Sequence, residues 1–194
     1  STTKEEHWVE FTFVDKAGLP VSGVPYTFED PDGNVSEGTL RMDGTVRRDA
    51  LSEGKSKVVL KDVYGAEWSQ KEARPDDKVT YTANVEGFED GTPATIQVHE
   101  RDVTGPDDIV EEIKTKVRSG KVEGQWTYVY PEGTSDDEDA ETESAGYSAP
   151  QYYFEVQVGP CTARSGLLKY KDYIEIALKD DHGDPIGETE YLLY

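Results

Sequence analysis

Short stretches in which apolar and polar residues alternate run through the chain, and they constrain its fold more than any other feature. Residues 8–14 place Val9, Phe11 and Phe13 on one side of an extended segment. The same period of two recurs in residues 79–85, 94–99, 122–130 and 152–158. Alternation is typical of β-strands with one buried face, because successive side chains point to opposite faces. Gly, Pro, Asp and Asn residues separate these stretches, so the sequence predicts an all-β protein built from sandwiches.

One segment, residues 109–117, fits two kinds of secondary structure. Ile109, Val110, Ile113 and Val117 fit one face of a helix. Without Val110, the same residues also fit one face of a strand. The Ser119-Gly120 turn follows and leads into residues 122–130. We favour a β-hairpin made of these two segments, with a helix as the alternative.

The length and the positions of the turns indicate two small domains. A chain of 194 residues can form two sandwiches, and we place the boundary near residues 68–74. The predicted units are a first sandwich at 1–68, a second at 69–171 and a hairpin at 172–194. The second unit contains an acidic loop at 131–150, whose run from Asp136 to Glu143 lacks the ligand spacing of an EF-hand. No metal site is therefore predicted.

The beginning of the chain is repeated near its end. Residues 8–28 align without a gap with residues 173–193, and the apolar positions recur on both sides of a Gly-x-Pro turn. Residues identical in the two copies include Glu10 and Glu175, Asp15 and Asp180, Gly18 and Gly183, Pro20 and Pro185, and Tyr26 and Tyr191. The first copy continues into further strands, whereas the sequence stops at Tyr194. Residues 172–194 are thus predicted to be a partial repeat of the first hairpin.

Two groups of apolar and aromatic residues are candidates for a protein interface. An isolated two-stranded hairpin is marginally stable in water, so we expect the repeat to pack on its own sandwich, on a neighbouring molecule or on a natural continuation. Tyr is also favoured at interfaces, and several Tyr residues flank the acidic loop, whereas Trp126 is expected in the core. The candidate interface residues are Tyr128, Tyr130, Tyr152, Ile174, Ile176, Leu178, Tyr191 and Leu193.

The first copy carries an ordered series of turn motifs. It contains Val14-Asp15, Gly18, Pro20-Val21, Gly23 and Tyr26, followed by Pro31-Asp32-Gly33, Glu37-Gly38, Leu40 and Asp43-Gly44. This series resembles the small carboxypeptidase-regulatory-like, or transthyretin-like, sandwich. The resemblance covers residues 8–60 and 173–194 well and residues 75–171 loosely. In bacteria, similar units are attached to spike proteins and effectors of type VI secretion and related contractile injection systems, where an Ig-like domain can follow them.

The resemblance implies a function without transferring any catalytic residue. We expect a non-catalytic structural or adaptor module of a contractile injection spike or effector, which acts through protein partners, and the terminal hairpin as a route to self-association. The alternative is an extracellular Ig-like adhesion or glycan-binding module.

The side chains that usually carry catalysis are sparse and scattered. The histidines are His7, His99 and His182, and His99 lies in a predicted strand beside Glu100 and Asp102. A Ser nucleophile in a Gly-x-Ser-x-Gly turn is missing from the sequence. Cys161 is the one cysteine and has no neighbouring base in the sequence. We therefore expect no enzyme activity and no cofactor.

The charge balance argues against two classes of partner. The chain has 20 Lys and Arg against 41 Asp and Glu, a net charge of −21. Nucleic-acid binding needs clustered cations to neutralise phosphates, so it is not expected. The chain has no apolar stretch of the roughly 20 residues that cross a bilayer, so membrane insertion is not expected either. The N-terminal residues lack a signal-peptide pattern. We expect synthesis in the cytoplasm without a cleaved signal and secretion by a contractile injection system.

Overall fold

The computed structural model describes residues 6–102, 105–129 and 149–171, and all regular elements within these ranges are β-strands. This confirms the all-β prediction. In these ranges no helix is present that could cross a membrane. The strands are β1 His7–Thr12, β2 Pro25–Glu29, β3 Val35–Thr39, β4 Thr45–Leu51, β5 Lys57–Leu60, β6 Asp62–Trp68, β7 Glu72–Ala73, β8 Lys78–Glu86, β9 Pro93–Glu100, β10 Asp108–Lys116, β11 Lys121–Thr127, β12 Gln151–Val158, β13 Cys161–Arg164 and β14 Leu168–Tyr170.

The first module contains β1 to β5 in two small antiparallel sheets. Strands β1 and β4 pair with each other, and β2 lies between β3 and β5. Side chains from both sheets form a small core of Tyr26, Phe28, Leu40 and Val46. The predicted apolar face of β1 is confirmed, because Val9, Phe11 and Phe13 pack against this core.

Asp side chains hold the turns of the first module. The carboxylate of Asp15 accepts hydrogen bonds from the backbone N–H groups of Ala17 (2.8 Å) and Leu19 (2.9 Å). Asp30 and Asp43 accept bonds from the turns that follow them in the same way. Such Asx turns replace lost backbone partners with a side-chain oxygen, which explains why the predicted turn positions are occupied by turns in the structure.

The second module contains β6 to β14 in two facing sheets. One sheet has the order β10-β9-β12-β14-β7, with β13 also paired to β12, and the other has the order β11-β8-β6. Pairing is antiparallel except between β14 and β7, which run parallel. The alternating residues of the two inner faces meet in one core, with Ile96, Val98, Phe154 and Val156 fully buried and Trp126 nearly so. The core position expected for Trp126 is confirmed.

The structure separates the two strands that were predicted to form a hairpin. Residues 108–116 form a strand, as favoured over a helix, but β10 pairs with β9 while β11 pairs with β8. A single bridge between Arg118 and Lys121 joins the two. Val117 and Val122, on either side of that bridge, are fully buried. The prediction of a hairpin was wrong because the turn carries the chain across the core from one sheet to the other.

The boundary between the two modules lies earlier in the chain than residues 68–74. Strand β6 pairs with β8, and Val63 and Trp68 belong to the second core. The ring of Trp68 lies 4.8 Å from that of Phe154, edge to face. One residue, Lys61, separates β5 of the first module from β6 of the second. The boundary predicted after residue 68 is therefore corrected to Lys61.

Each module contains a cross-strand pair of a glycine and a tyrosine. Tyr26 lies opposite Gly38, and Tyr81 lies opposite Gly124. In both pairs the ring covers the glycine so closely that a Cβ on the glycine would stand 2.5 Å or less from the Tyr hydroxyl oxygen. These glycines make room for a buried ring, and we call them the Tyr–Gly pairs.

Candidate interaction surfaces

The joint between the two modules is made of backbone contacts as well as the single connecting residue. The N–H of Lys61 donates a hydrogen bond to the carbonyl of Pro25 (2.8 Å). Gly87, which follows β8, has φ +75°, and a Cβ there would stand 2.2 Å from the carbonyl oxygen of Leu60. Only glycine allows this conformation together with such a close approach. The end of β5 and the turn after β8 are therefore in direct contact.

The side chain of Lys61 completes the joint. Its ammonium group forms an ion pair with Glu37 of β3 and lies 5.1 Å from the ring centroid of Phe88. The hydrogen bond from Lys61, and then its charge, hold the pKa of Glu37 below its ordinary value. A cleft of about 280 Å³ lies beside this lysine, between Tyr26 of the first module and Pro160 of the second. The joint thus combines close backbone packing with a cation–π contact from Lys61 to the second module, and an ion pair holds Lys61 to the first.

Three large apolar side chains are exposed at two neighbouring turns of the first module. Val14, Leu19 and Met42 are 55%, 63% and 92% exposed. The N–H of Phe13 donates to the carbonyl of Gly44 (2.9 Å), and Val14 forms a bridge with Pro20, so the two turns are held side by side. We call these three residues the apolar tip. Large apolar side chains exposed on neighbouring turns are a feature of protein-binding surfaces.

The outer face of the six-stranded sheet carries a layered cluster of polar rings and charges. The ring of His99 stacks on that of Tyr153 (4.8 Å between centroids, 2° between planes), and the guanidinium of Arg164 lies 3.5 Å from the Tyr153 ring centroid. The Tyr153 hydroxyl donates to Asp107 (2.8 Å). Burial, and then this hydrogen bond, raise the pKa of Tyr153 to about 12, while the same bond lowers the pKa of Asp107.

His99 serves as a packing surface in this cluster. Its side chain is nearly buried, and its Nε2 has no hydrogen-bond partner among the described residues. A general base needs a proton donor or an orienting group within hydrogen-bond reach. That His99 has no hydrolytic role stays a prediction.

Comparisons with known proteins give distant structural likenesses and no match in sequence. The sequence matches no family model and no curated protein. Among solved structures, the chain is similar to trypsin-activated alpha-2-macroglobulin from Escherichia coli, at 7% sequence identity and a TM-score of 0.39. The match covers 94% of this chain and 16% of that chain.

The structure places two of the predicted interface residues inside the core. Tyr128 and Tyr152 are fully buried, with ring centroids 5.2 Å apart. Their hydroxyls donate to the carbonyls of Pro150 (3.1 Å) and Val129 (3.0 Å), and burial raises the pKa of Tyr152. A tyrosine can be buried wherever its hydroxyl finds such a partner, so this part of the interface prediction is corrected. The remaining candidates lie outside the described residues, as does most of the acidic loop: Tyr130, Ile174, Ile176, Leu178, Tyr191 and Leu193.

The sequence prediction did not include the apolar tip. A usable signal was present, because Leu19 stands between Gly18 and Pro20, and Met42 precedes Asp43-Gly44. Turn residues are exposed as a rule. A large apolar residue inside a turn motif therefore indicates an exposed apolar side chain. The joint at Lys61 had no such signal, since residues 57–63 contain neither Gly nor Pro.

Proposed function

We propose that the chain is a non-catalytic structural or adaptor module of a bacterial contractile injection spike or effector, of the type VI secretion kind, which acts through protein–protein contacts. The observation that supports this best is the joint. A spike or its cargo must hold successive domains in line while force is applied, and this requires modules that do not swing freely.

The joint meets that requirement in three ways. A flexible linker lets the domains of one chain move relative to each other. Here one residue replaces a linker, and the backbone of Gly87 is packed on Leu60. Lys61 is fixed to the first module by the bond from its N–H to Pro25 and by its ion pair with Glu37, and its ammonium group also contacts the ring of Phe88 in the second module.

The apolar tip is the surface that we assign to a protein partner. Its turns are held by the Asp15 carboxylate and by the bond from Phe13 to Gly44. A turn whose backbone is already ordered loses less conformational entropy on binding. The tip therefore suits a partner that presents a complementary apolar surface.

The first experiment measures the stiffness of the joint. Spin labels at Ser36→Cys on β3 and Gln125→Cys on β11, both exposed, would report the distance between modules, since the native Cys161 is buried. We expect a narrow distance distribution. A short Gly-Ser insertion after Leu60 should broaden it, whereas the same insertion after Glu53, in an exposed turn of the first module, should not.

The second experiment tests the cellular function with the same variants. In the host that makes it, the tagged chain should be released only when the contractile sheath is intact. The insertion after Leu60 should impair release, and the insertion after Glu53 should leave it unchanged. Release from sheath-deficient cells would contradict the assignment to an injection system. Normal release of a folded joint variant would contradict the role of the joint.

A further inference from the structure

Three cationic side chains converge on one depression in this acidic protein. The depression has a volume of about 420 Å³ and is lined by Lys116 at the end of β10 and by Arg118 and Lys121 at the turn into β11. Thr115, Ser119 and Glu123 complete the lining. Lys116, Arg118 and Lys121 form no ion pair with any described residue. The cations that do form ion pairs in the described part are Arg47, Lys61 and Lys114.

Two of these cations face each other across the turn. Arg118 and Lys121 form an antiparallel bridge, with hydrogen bonds in both directions between their N–H and C=O groups (2.9 and 3.0 Å). Side chains at such directly opposed positions lie about 5 Å apart, and like charges there are destabilising. The chain contains 41 acidic residues, yet none pairs with these cations within the described part.

The turn between them is strained and anchored. Ser119 has φ +50° and Gly120 has φ +70°, the two positive values of a type I′ turn, in which Asn or Gly is the usual first residue. A serine there places a hydroxyl at the rim of the depression. The Ser119 N–H donates to the Asp90 carboxylate (2.7 Å), which fixes the turn on the preceding loop. Strain that persists because its surroundings hold it is commonest at functional sites.

We propose that this depression binds a ligand with two or more phosphate charges. We call it the basic depression, and it is separate from the joint and the apolar tip on which the proposed function rests. Tetrahedral phosphate oxygens accept charge-assisted hydrogen bonds from lysine and arginine, and neutral ones from hydroxyls. The volume lies within the range of small-molecule sites. A bound anion would also relieve the repulsion between Arg118 and Lys121.

Two carboxylates near the depression repel an anionic ligand and weaken its binding. Glu123 lines the depression and Asp90 supports its turn. The chain as a whole, at −21, repels anions over long range. Binding therefore depends on close contacts with the three cations, and a ligand with a single negative charge should bind weakly.

The test is isothermal titration calorimetry of the whole chain with inorganic pyrophosphate at low ionic strength. We expect saturable binding that weakens with salt. The double variant Arg118→Gln with Lys121→Gln should weaken it by about tenfold or more, the loss expected for charge-assisted hydrogen bonds. Its urea midpoint should stay the same or rise, because the like-charge repulsion is removed. Glu123→Gln should bind more tightly than the wild type.

A matched control separates this site from the effect of net charge. Lys55→Gln with Lys57→Gln makes the same change in net charge at exposed positions of the first module, and it should leave pyrophosphate binding unaltered. The absence of saturable binding, or an equal loss in the two double variants, would overturn the proposal.

A second arm identifies the source of the phosphate. Vesicles of phosphatidylcholine containing phosphatidylinositol bisphosphate are compared in co-sedimentation with vesicles of phosphatidylcholine alone. Binding to the first kind only, displaced by pyrophosphate, would assign the site to a lipid headgroup. Pyrophosphate binding without vesicle binding would assign it to a soluble phosphorylated molecule, the result that we expect for a chain of this charge.

Discussion

Replacing Gly124 with Ala should destabilise the second module, because the Tyr–Gly pair leaves no room for a methyl group. The new Cβ would stand 2.2 Å from the hydroxyl oxygen of Tyr81 and 2.5 Å from its Cζ, whereas carbon atoms in contact lie about 3.5–4.0 Å apart. Tyr81 cannot move away freely, since it is 3% exposed and its ring packs on Phe154. The ring or the strand must therefore shift by more than 1 Å or so.

The expected change in the free energy of unfolding is the difference between an unfavourable and a favourable effect. Overfilling a packed site costs about 1–3 kcal/mol. Replacing glycine also lowers the conformational entropy of the unfolded chain, which stabilises the folded protein by about 0.4–1 kcal/mol. We therefore expect the free energy of unfolding to fall by about 1–2 kcal/mol. Gly166→Ala is the control, because a Cβ at Gly166 would meet nothing within 4 Å, and its effect should stay within about 0.5 kcal/mol.

Urea denaturation followed by tryptophan fluorescence measures these differences. Trp68 and Trp126 are buried in the second module, while Trp8 of the first is largely exposed, so the signal reports the module that carries Gly124. Combining Gly124→Ala with Tyr81→Phe removes the closest atom and should recover about 0.5–1 kcal/mol in a double-mutant cycle. The reasoning is refuted if Gly124→Ala behaves like Gly166→Ala, or if the second substitution gives no recovery.

Three further predictions concern other parts of the chain. The pKa of Asp107 is lowered, first by the hydrogen bond from Tyr153, so its stabilisation is present above the unfolded pKa and lost as pH falls through the folded one. Asp107→Asn should therefore lower the melting temperature at pH 7 more than at about pH 2, and an equal decrease at both would contradict this. Asp15→Ala removes the acceptor of the Leu19 N–H, so amide exchange at Leu19 should accelerate, whereas Lys16→Ala should leave it unchanged. Deleting residues 172–194 should abolish self-association or lower stability, as the repeat predicts. If light scattering and denaturation show neither, the packing role of the hairpin is wrong.

The strands could be predicted from the sequence because the information for them is local. In β8 and β12 one face is apolar along the whole strand, and the structure buries that face. The turns of the first module follow from Asp15, Gly18 and Pro20 in the same way, since Asx turns and positive φ depend on near neighbours.

The pairing of strands could not be predicted because it depends on distant residues. Ser119-Gly120 specifies a tight turn. Whether β10 and β11 then pair with each other depends on the competing strands β9 and β8, which are distant in sequence. The module boundary was misplaced for a related reason, because no Gly or Pro separates Leu60 from Val63. Nothing local shows that Leu60 pairs with Tyr26 while Val63 pairs with Val85.

The candidate site was predicted only in part, and one error could have been avoided. Tyr128 lies two residues after Trp126 and so on the same face of the extended segment. Because Trp126 was expected in the core, the alternation already favoured a buried Tyr128. The basic depression depends on the crossing of β10 and β11 between sheets. Without that crossing, Lys116, Arg118 and Lys121 are three ordinary exposed cations in a hairpin.

The parallel pair of β14 and β7 has a consequence for the time course of folding. Lys169 pairs with Glu72, and the N–H of Lys171 donates to the carbonyl of Ala73, so residues about a hundred positions apart must meet before this sheet edge closes. Contacts of such long sequence separation slow the search for the native topology, commonly to milliseconds or seconds. During synthesis, β7 emerges early and waits with an unsatisfied edge until β14 has left the ribosome. The acidic surface of the chain would discourage association of two such edges during that interval, since like charges keep unfinished chains apart.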